Sequence, residues 1–213
     1  MTHGFAMPTD AIHGPSALAT LRRFARPTPA QERCELCSLA LAEQHDHLVE
    51  LANRRLVCAC EACAILFNSH AAGKYRRVPR HSKYLPDFRL SDVDWEALQL
   101  PVNMAFFLRS TPAERVVAFY PSPGGATEAA VPLDAWQMIV ADNPVLAKFE
   151  PDVEALLVNR VGPARECYRA GIDECYKLVG LIRTHWRGFS GGDAVWAEIG
   201  RFFDGLKQRS GAT

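Results

Sequence analysis

The sequence predicts an α+β protein, with a small treble-clef-like zinc module followed by a mixed α+β domain. Five of the seven cysteines crowd into residues 34 to 63. Short apolar runs bounded by turn residues follow from about residue 100, as strands do. Beyond residue 170 the apolar residues recur at helical spacing. A chain of 213 residues can bury a real core without crosslinks.

Four regions follow from composition. Residues 1–30, rich in Pro, Ala, Thr and Gly, read as a flexible segment with one short amphipathic helix over Pro15-Ser-Ala-Leu-Ala-Thr-Leu-Arg-Arg-Phe24. Residues 31–70 form the cysteine-rich, zinc-finger-like module. Residues 71–89, with Lys74, Arg76, Arg77, Arg80 and Lys83 punctuated by prolines, read as a basic connector. Residues 90–209 make the α+β domain.

Within that domain Pro101–Leu108 and Arg115–Tyr120 are paired strands joined through Ser110-Thr-Pro-Ala, and Pro121-Ser-Pro-Gly-Gly-Ala-Thr-Glu reads as a loop. Leu133–Val140 suits a short helix and Val153–Asn159 another strand. Residues 175, 178, 179, 182 and 186 mark one face of a helix over Ile172–Trp186. A glycine loop then feeds a final amphipathic helix that Ser190 or Asp193 can cap.

Two CxxC pairs, Cys34-Glu-Leu-Cys37 and Cys60-Glu-Ala-Cys63, about twenty residues apart, have the spacing of a zinc site in which each pair wraps one side of a tetrahedral ion. Between them His47-Leu-Val-Glu-Leu51, Ala52-Asn-Arg54 and Arg55-Leu-Val-Cys58 read as strand, turn, strand, and a helix begins at Glu61. The helix N-terminus favours thiolate at the second pair. The predicted ligands are Cys34, Cys37, Cys60 and Cys63. The same four thiolates also suit an iron-sulfur cluster. Cys58 can replace Cys60, serve redox chemistry or be a buried apolar side chain, and His45 and His47 either join the site or belong to a solvated hairpin start.

The remaining chemistry is sparse. The charges balance, 24 basic against 24 acidic, so a nucleic acid meets no global attraction and only the local strip of residues 74 to 84 offers one. Ser190-Gly-Gly-Asp193 lacks the lysine of a phosphate loop. Cys167 and Cys175 read as core thiols, or as a redox pair if folding brings them together. No nucleophile, base and orienting residue assemble into a catalytic set. With no apolar run of about eighteen residues and no signal-like N-terminus, the expected location is the cytoplasm, where clustered thiols favour metal over disulfides.

The combination of Cys34-Glu-Leu-Cys37, Leu56-Val-Cys-Ala-Cys-Glu-Ala-Cys-Ala-Ile-Leu-Phe67, Val117-Ala-Phe-Tyr-Pro-Ser-Pro-Gly-Gly-Ala-Thr-Glu128 and Ile172-Asp-Glu-Cys-Tyr-Lys-Leu-Val-Gly-Leu-Ile-Arg-Thr-His-Trp-Arg-Gly-Phe-Ser-Gly-Gly192 resembles a bacterial family encoded beside genes for actinobacterial-type nickel-iron hydrogenases. The likeness runs from about residue 20 to 209. That family has no established activity. The resemblance implies a non-catalytic scaffold or maturation factor whose partner is a hydrogenase subunit or another maturation protein.

Overall fold

Ala155-Leu-Leu-Val158 is apolar without alternation because its strand is covered on both faces: every residue of Glu154–Asn159 is buried. In the computed structural model, which describes residues 31–68, 73–188 and 190–210, this strand lies inside a six-stranded antiparallel sheet. The described residues from Arg33 onward form one compact unit. The helix expected over Pro15–Phe24, like the whole segment 1–30, lies outside the described residues.

Among the described residues there are nine strands: β1 (Asp46–Glu50), β2 (Arg55–Ala59), β3 (Tyr75–Arg77), β4 (Lys83–Tyr84), β5 (Met104–Ser110), β6 (Arg115–Ser122), β7 (Gly125–Ala129), β8 (Glu154–Asn159) and β9 (Glu166–Gly171). The described residues also form five α-helices, α1 (Glu61–Leu66), α2 (Asp92–Ala97), α3 (Leu133–Asp142), α4 (Ile172–His185) and α5 (Gly192–Ser210), with a 3₁₀ turn at Pro144–Lys148. The larger sheet runs β4-β9-β8-β5-β6-β7, and a smaller one runs β2-β1-β3.

Side chains alternate across the larger sheet, as strand geometry requires. Phe106, Leu157, Tyr168 and Ala170 point to one face, where Cys175, Leu178 and Ile182 of α4 and Ile199, Phe203 and Leu206 of α5 cover them. Ala105, Phe107, Leu156, Val158 and Cys167 point to the other, under Trp95 of α2 and Trp136 and Ile139 of α3. Phe107 stacks on Trp136, ring centroids 5.0 Å apart.

The segment expected to be a connector is structural. It supplies β3, which pairs with β1, and β4, which pairs with β9, so it adds an edge strand to each sheet. Four of the five cations over residues 74–84 are engaged by carboxylates, Arg76 by Glu150 and Asp152, Arg77 and Arg80 by the buried Asp46, and Lys74 by Glu50, while Lys74, Arg80 and Lys83 remain exposed. Val49 of β1 and Val78 enter the same core as α4 and α5. The cysteine-bearing sheet is therefore packed onto the body.

Two further differences have local causes. The Pro121–Glu128 stretch is a hairpin, not an open loop: β6 and β7 pair from Ala118↔Ala129 to Ser122↔Gly125, and Gly125 turns the corner at φ 130°. Helix α2 was not predicted, although Ser91 and Asp94 close a reciprocal capping box at its start.

Candidate metal centre

The first cysteine pair sits on a tight reversal. The Ser38 amide donates to the Cys34 carbonyl at 2.8 Å, Ser38 adopts φ 64°, and Arg33 and Ala40 bridge across it. Strand β2 is the edge of its sheet, and Glu35 docks there. Its amide donates to the Cys58 carbonyl at 2.9 Å, while its carboxylate accepts from the Cys58 amide at 2.8 Å and from Arg55 Nη1 at 2.7 Å. This clamp delivers Cys34 and Cys37 to the end of β2, where α1 begins.

The second pair belongs to α1. Cys60 is its N-cap, extended at φ −72° and ψ 159°, and Cys63 lies in the first turn. Residues three apart share a helix face. The four sulfurs of Cys34, Cys37, Cys60 and Cys63 lie within 4.8 Å of one another, with Cys37 Sγ 3.6 Å from Cys60 Sγ. A tetrahedron of zinc-sulfur bonds of about 2.3 Å has an edge of about 3.8 Å, so this spacing matches one ion with small closing movements. Cys34, Cys60 and Cys63 are buried and Cys37 is exposed.

The electrostatics also call for a cation. Burial works against ionising Cys34, but amides of Cys60, Leu36 and Cys37 donate to its sulfur and bring the thiol down to about 6. Cys63 goes the other way, to about 12, through burial and then the neighbouring sulfurs of Cys37, Cys60 and Cys34. One thiolate forms readily, and its charge opposes the next. A bound divalent cation removes that conflict.

All four predicted ligands thus converge, and Cys58 does not share their group. Its side chain falls in a second cluster with His45 and His47, whose donor atoms also lie within 4.8 Å of one another. Register explains the pairing: His47 lies directly opposite Cys58 across the β1/β2 ladder, and His45 is two residues from His47. Asp173, in the first turn of α4, accepts from His47 Nδ1 at 3.0 Å across a separation of 126 residues, a partner that no local pattern signals.

Cys167 and Cys175 lie in the two cores on opposite faces of the larger sheet, which removes the redox-pair reading. Burial pushes the Cys167 thiol up to about 12 and Cys175 upward as well. In the body, an apolar cavity of about 400 Å³ lies among Tyr120, Ile182, Trp186 and Trp196. Gly191 lets the chain pass beside it, since a Cβ there would stand 3.0 Å from the Trp186 ring and 2.7 Å from Val195. Among the described residues, no helix is long and apolar enough to cross a membrane.

Residues 33–210 match the model of a family of unknown function, DUF5947, and the chain belongs to that family. No curated protein and no solved structure matched it.

Proposed function

We propose that this DUF5947 member is a zinc-binding accessory protein without turnover of its own, a scaffold or maturation factor for a nickel-iron hydrogenase. The observation that carries the zinc reading is the close approach of the four sulfurs of Cys34, Cys37, Cys60 and Cys63. A multi-iron cluster places several atoms between its thiolates and asks for wider separation, so the spacing favours a single ion. Four protein ligands close the coordination sphere, as in structural rather than catalytic zinc sites. The reversal at Cys34–Cys37, the β1/β2 hairpin and the Cys60–Cys63 helix start follow the order of a treble clef, here with β3 added. Structural zinc contributes roughly 10 kcal/mol or more to the folding of small modules.

The hydrogenase assignment rests on the resemblance of the quoted motifs. Large apolar side chains left exposed on the cysteine-bearing segments, Leu39, Ile65, Leu66 and Phe67, are consistent with a protein partner. The engagement of Lys74, Arg76, Arg77 and Arg80 by carboxylates argues against a phosphate-gripping role.

Metal analysis and visible absorbance of anaerobically purified protein test the cofactor. Colourless protein with zinc supports the reading, and a brown protein containing iron and sulfide replaces it with a cluster carrier. A deletion strain tests the role: hydrogenase should lose assembly or activity, and normal maturation without co-purification of any hydrogenase component ends that assignment.

A further inference from the structure

We propose that His45, His47 and Cys58 form a second metal site, separate from the four-cysteine centre, that takes a borderline divalent ion of the late first row such as Zn²⁺ or Co²⁺ and keeps one coordination position open. This inference does not depend on what fills the four-cysteine centre.

Three features build the site. One donor atom from each of the three side chains lies within 4.8 Å of the others. Bonds of about 2.0–2.1 Å to nitrogen and 2.3 Å to sulfur need donor separations of about 3.3–3.6 Å, a closure of at most about 1.5 Å. Side-chain rotation supplies that.

The imidazoles are also oriented as ligands. His45 Nδ1 lies 2.9 Å from the Ala42 carbonyl, and His47 Nδ1 lies 3.0 Å from Asp173 Oδ2. A carbonyl or carboxylate oxygen accepts, so each ring carries its proton on Nδ1 and its lone pair on Nε2. Binding a metal through one nitrogen while the other donates to an oxygen is the usual arrangement of a metal-bound histidine. A cysteine nucleophile with a base would need one imidazole. Here two are tautomerically fixed and share one neighbourhood, with ring centroids 4.8 Å apart.

Strand alternation sets the site apart. Asp46, between the two histidines, is buried and engaged by Arg77 and Arg80, whereas His45, His47 and Cys58 are all half-buried. Two nitrogens and one sulfur exclude magnesium and calcium, which require oxygen, and suit zinc, cobalt or nickel. Three protein ligands leave room for water or an exchanging ligand.

The test is Co²⁺ loading of reduced, metal-free, full-length protein, with bound metal counted per chain after gel filtration. The parent should bind one equivalent more than His47→Ala or Cys58→Ser, while Cys37→Ser should lose the equivalent of the other centre. Asp173→Asn, altering a positioning residue, should weaken the histidine-cysteine site by about 10- to 100-fold and leave the other unchanged. Equal cobalt in the parent, His47→Ala and Cys58→Ser overturns the proposal. If those variants fail to fold, the parent decides: the cobalt that fills this site should show sulfur-to-cobalt absorption of about one quarter of that of the four-thiolate cobalt. Absence of any such single-thiolate cobalt overturns it. Loss of metal in Cys58→Ser but not in Cys37→Ser would support this site and count against the four-cysteine one.

Discussion

At Gly171 the chain that follows β3 passes close against the start of α4, and Gly171→Ala measures that contact. The glycine is the N-cap of α4 in ordinary extended backbone, φ −60° and ψ 146°, so alanine meets no backbone strain there. Space is the obstacle. A Cβ would stand 2.6 Å from the Pro79 carbonyl oxygen, 2.9 Å from Val78 Cγ1 and 2.5 Å from Asp173 Oδ1. The Asp173 side chain can swing away, but the Pro79 carbonyl is main chain following β3 and must move with it. Overpacking of this kind costs about 1–3 kcal/mol, and exchanging glycine for alanine at an N-cap adds about 0.5–1 kcal/mol. For a chain of this size, about 1.5–4 kcal/mol corresponds to a fall in Tm of roughly 3 to 16 °C. Thermal unfolding of parent and variant at equal metal content is the assay. Gly171→Ser, which offers a capping oxygen but the same Cβ, should recover little. A loss below about 0.5 kcal/mol in Gly171→Ala would refute the close packing of residues 78–79 on α4.

Three other predictions concern thiols and carboxylates. Cys37→Ser and Cys63→Ser should each release the metal of the four-cysteine centre and lower the melting temperature of the whole chain, because Val49 of the same sheet lies in the main core; full metal retention in elemental analysis would contradict the ligand set. Cys167 and Cys175, held protonated by burial, should resist iodoacetamide in native protein at about pH 8 and react after unfolding, whereas rapid native labelling of either would contradict their placement. Hydrogen bonding and charge from Arg165, with Arg160 adding charge, hold the Asp92 carboxyl below its ordinary range, so its contribution is present at neutral pH and lost as pH falls through the lowered value. Asp92→Asn should therefore unfold in less urea than the parent at neutral pH, with the difference shrinking as pH falls below the ordinary carboxylate range, and a difference that grows in acid would contradict the sign.

Much of the candidate centre was legible because doubled CxxC spacing is local information, and the hairpin between the pairs was marked by apolar runs around Ala52-Asn-Arg54. The long helices showed through the periodicity of residues such as Leu178, Val179 and Ile182. What stayed hidden depended on distant partners. Strands β3 and β4 looked like a charged connector because the carboxylates that neutralise Arg76 lie at Glu150 and Asp152, far along the chain. The company of Cys58 became clear only with the His47↔Cys58 register, and Asp173 only with the docking of α4. Helix α2 was missed for a lesser reason: Ser91 and Asp94 are a local capping signal, but the helix is six residues long and shows little periodicity.

Metal-edge X-ray absorption on Cys58→Ser protein, in which the sulfur of the second cluster is gone, tests whether Cys34, Cys37, Cys60 and Cys63 hold a single zinc ion. A zinc edge and a single shell of four sulfurs at about 2.3 Å are expected, in the same form whether the sample is oxidised or reduced. Iron with a metal-metal distance in the spectrum, or a zinc shell with fewer than four sulfurs, would contradict that assignment.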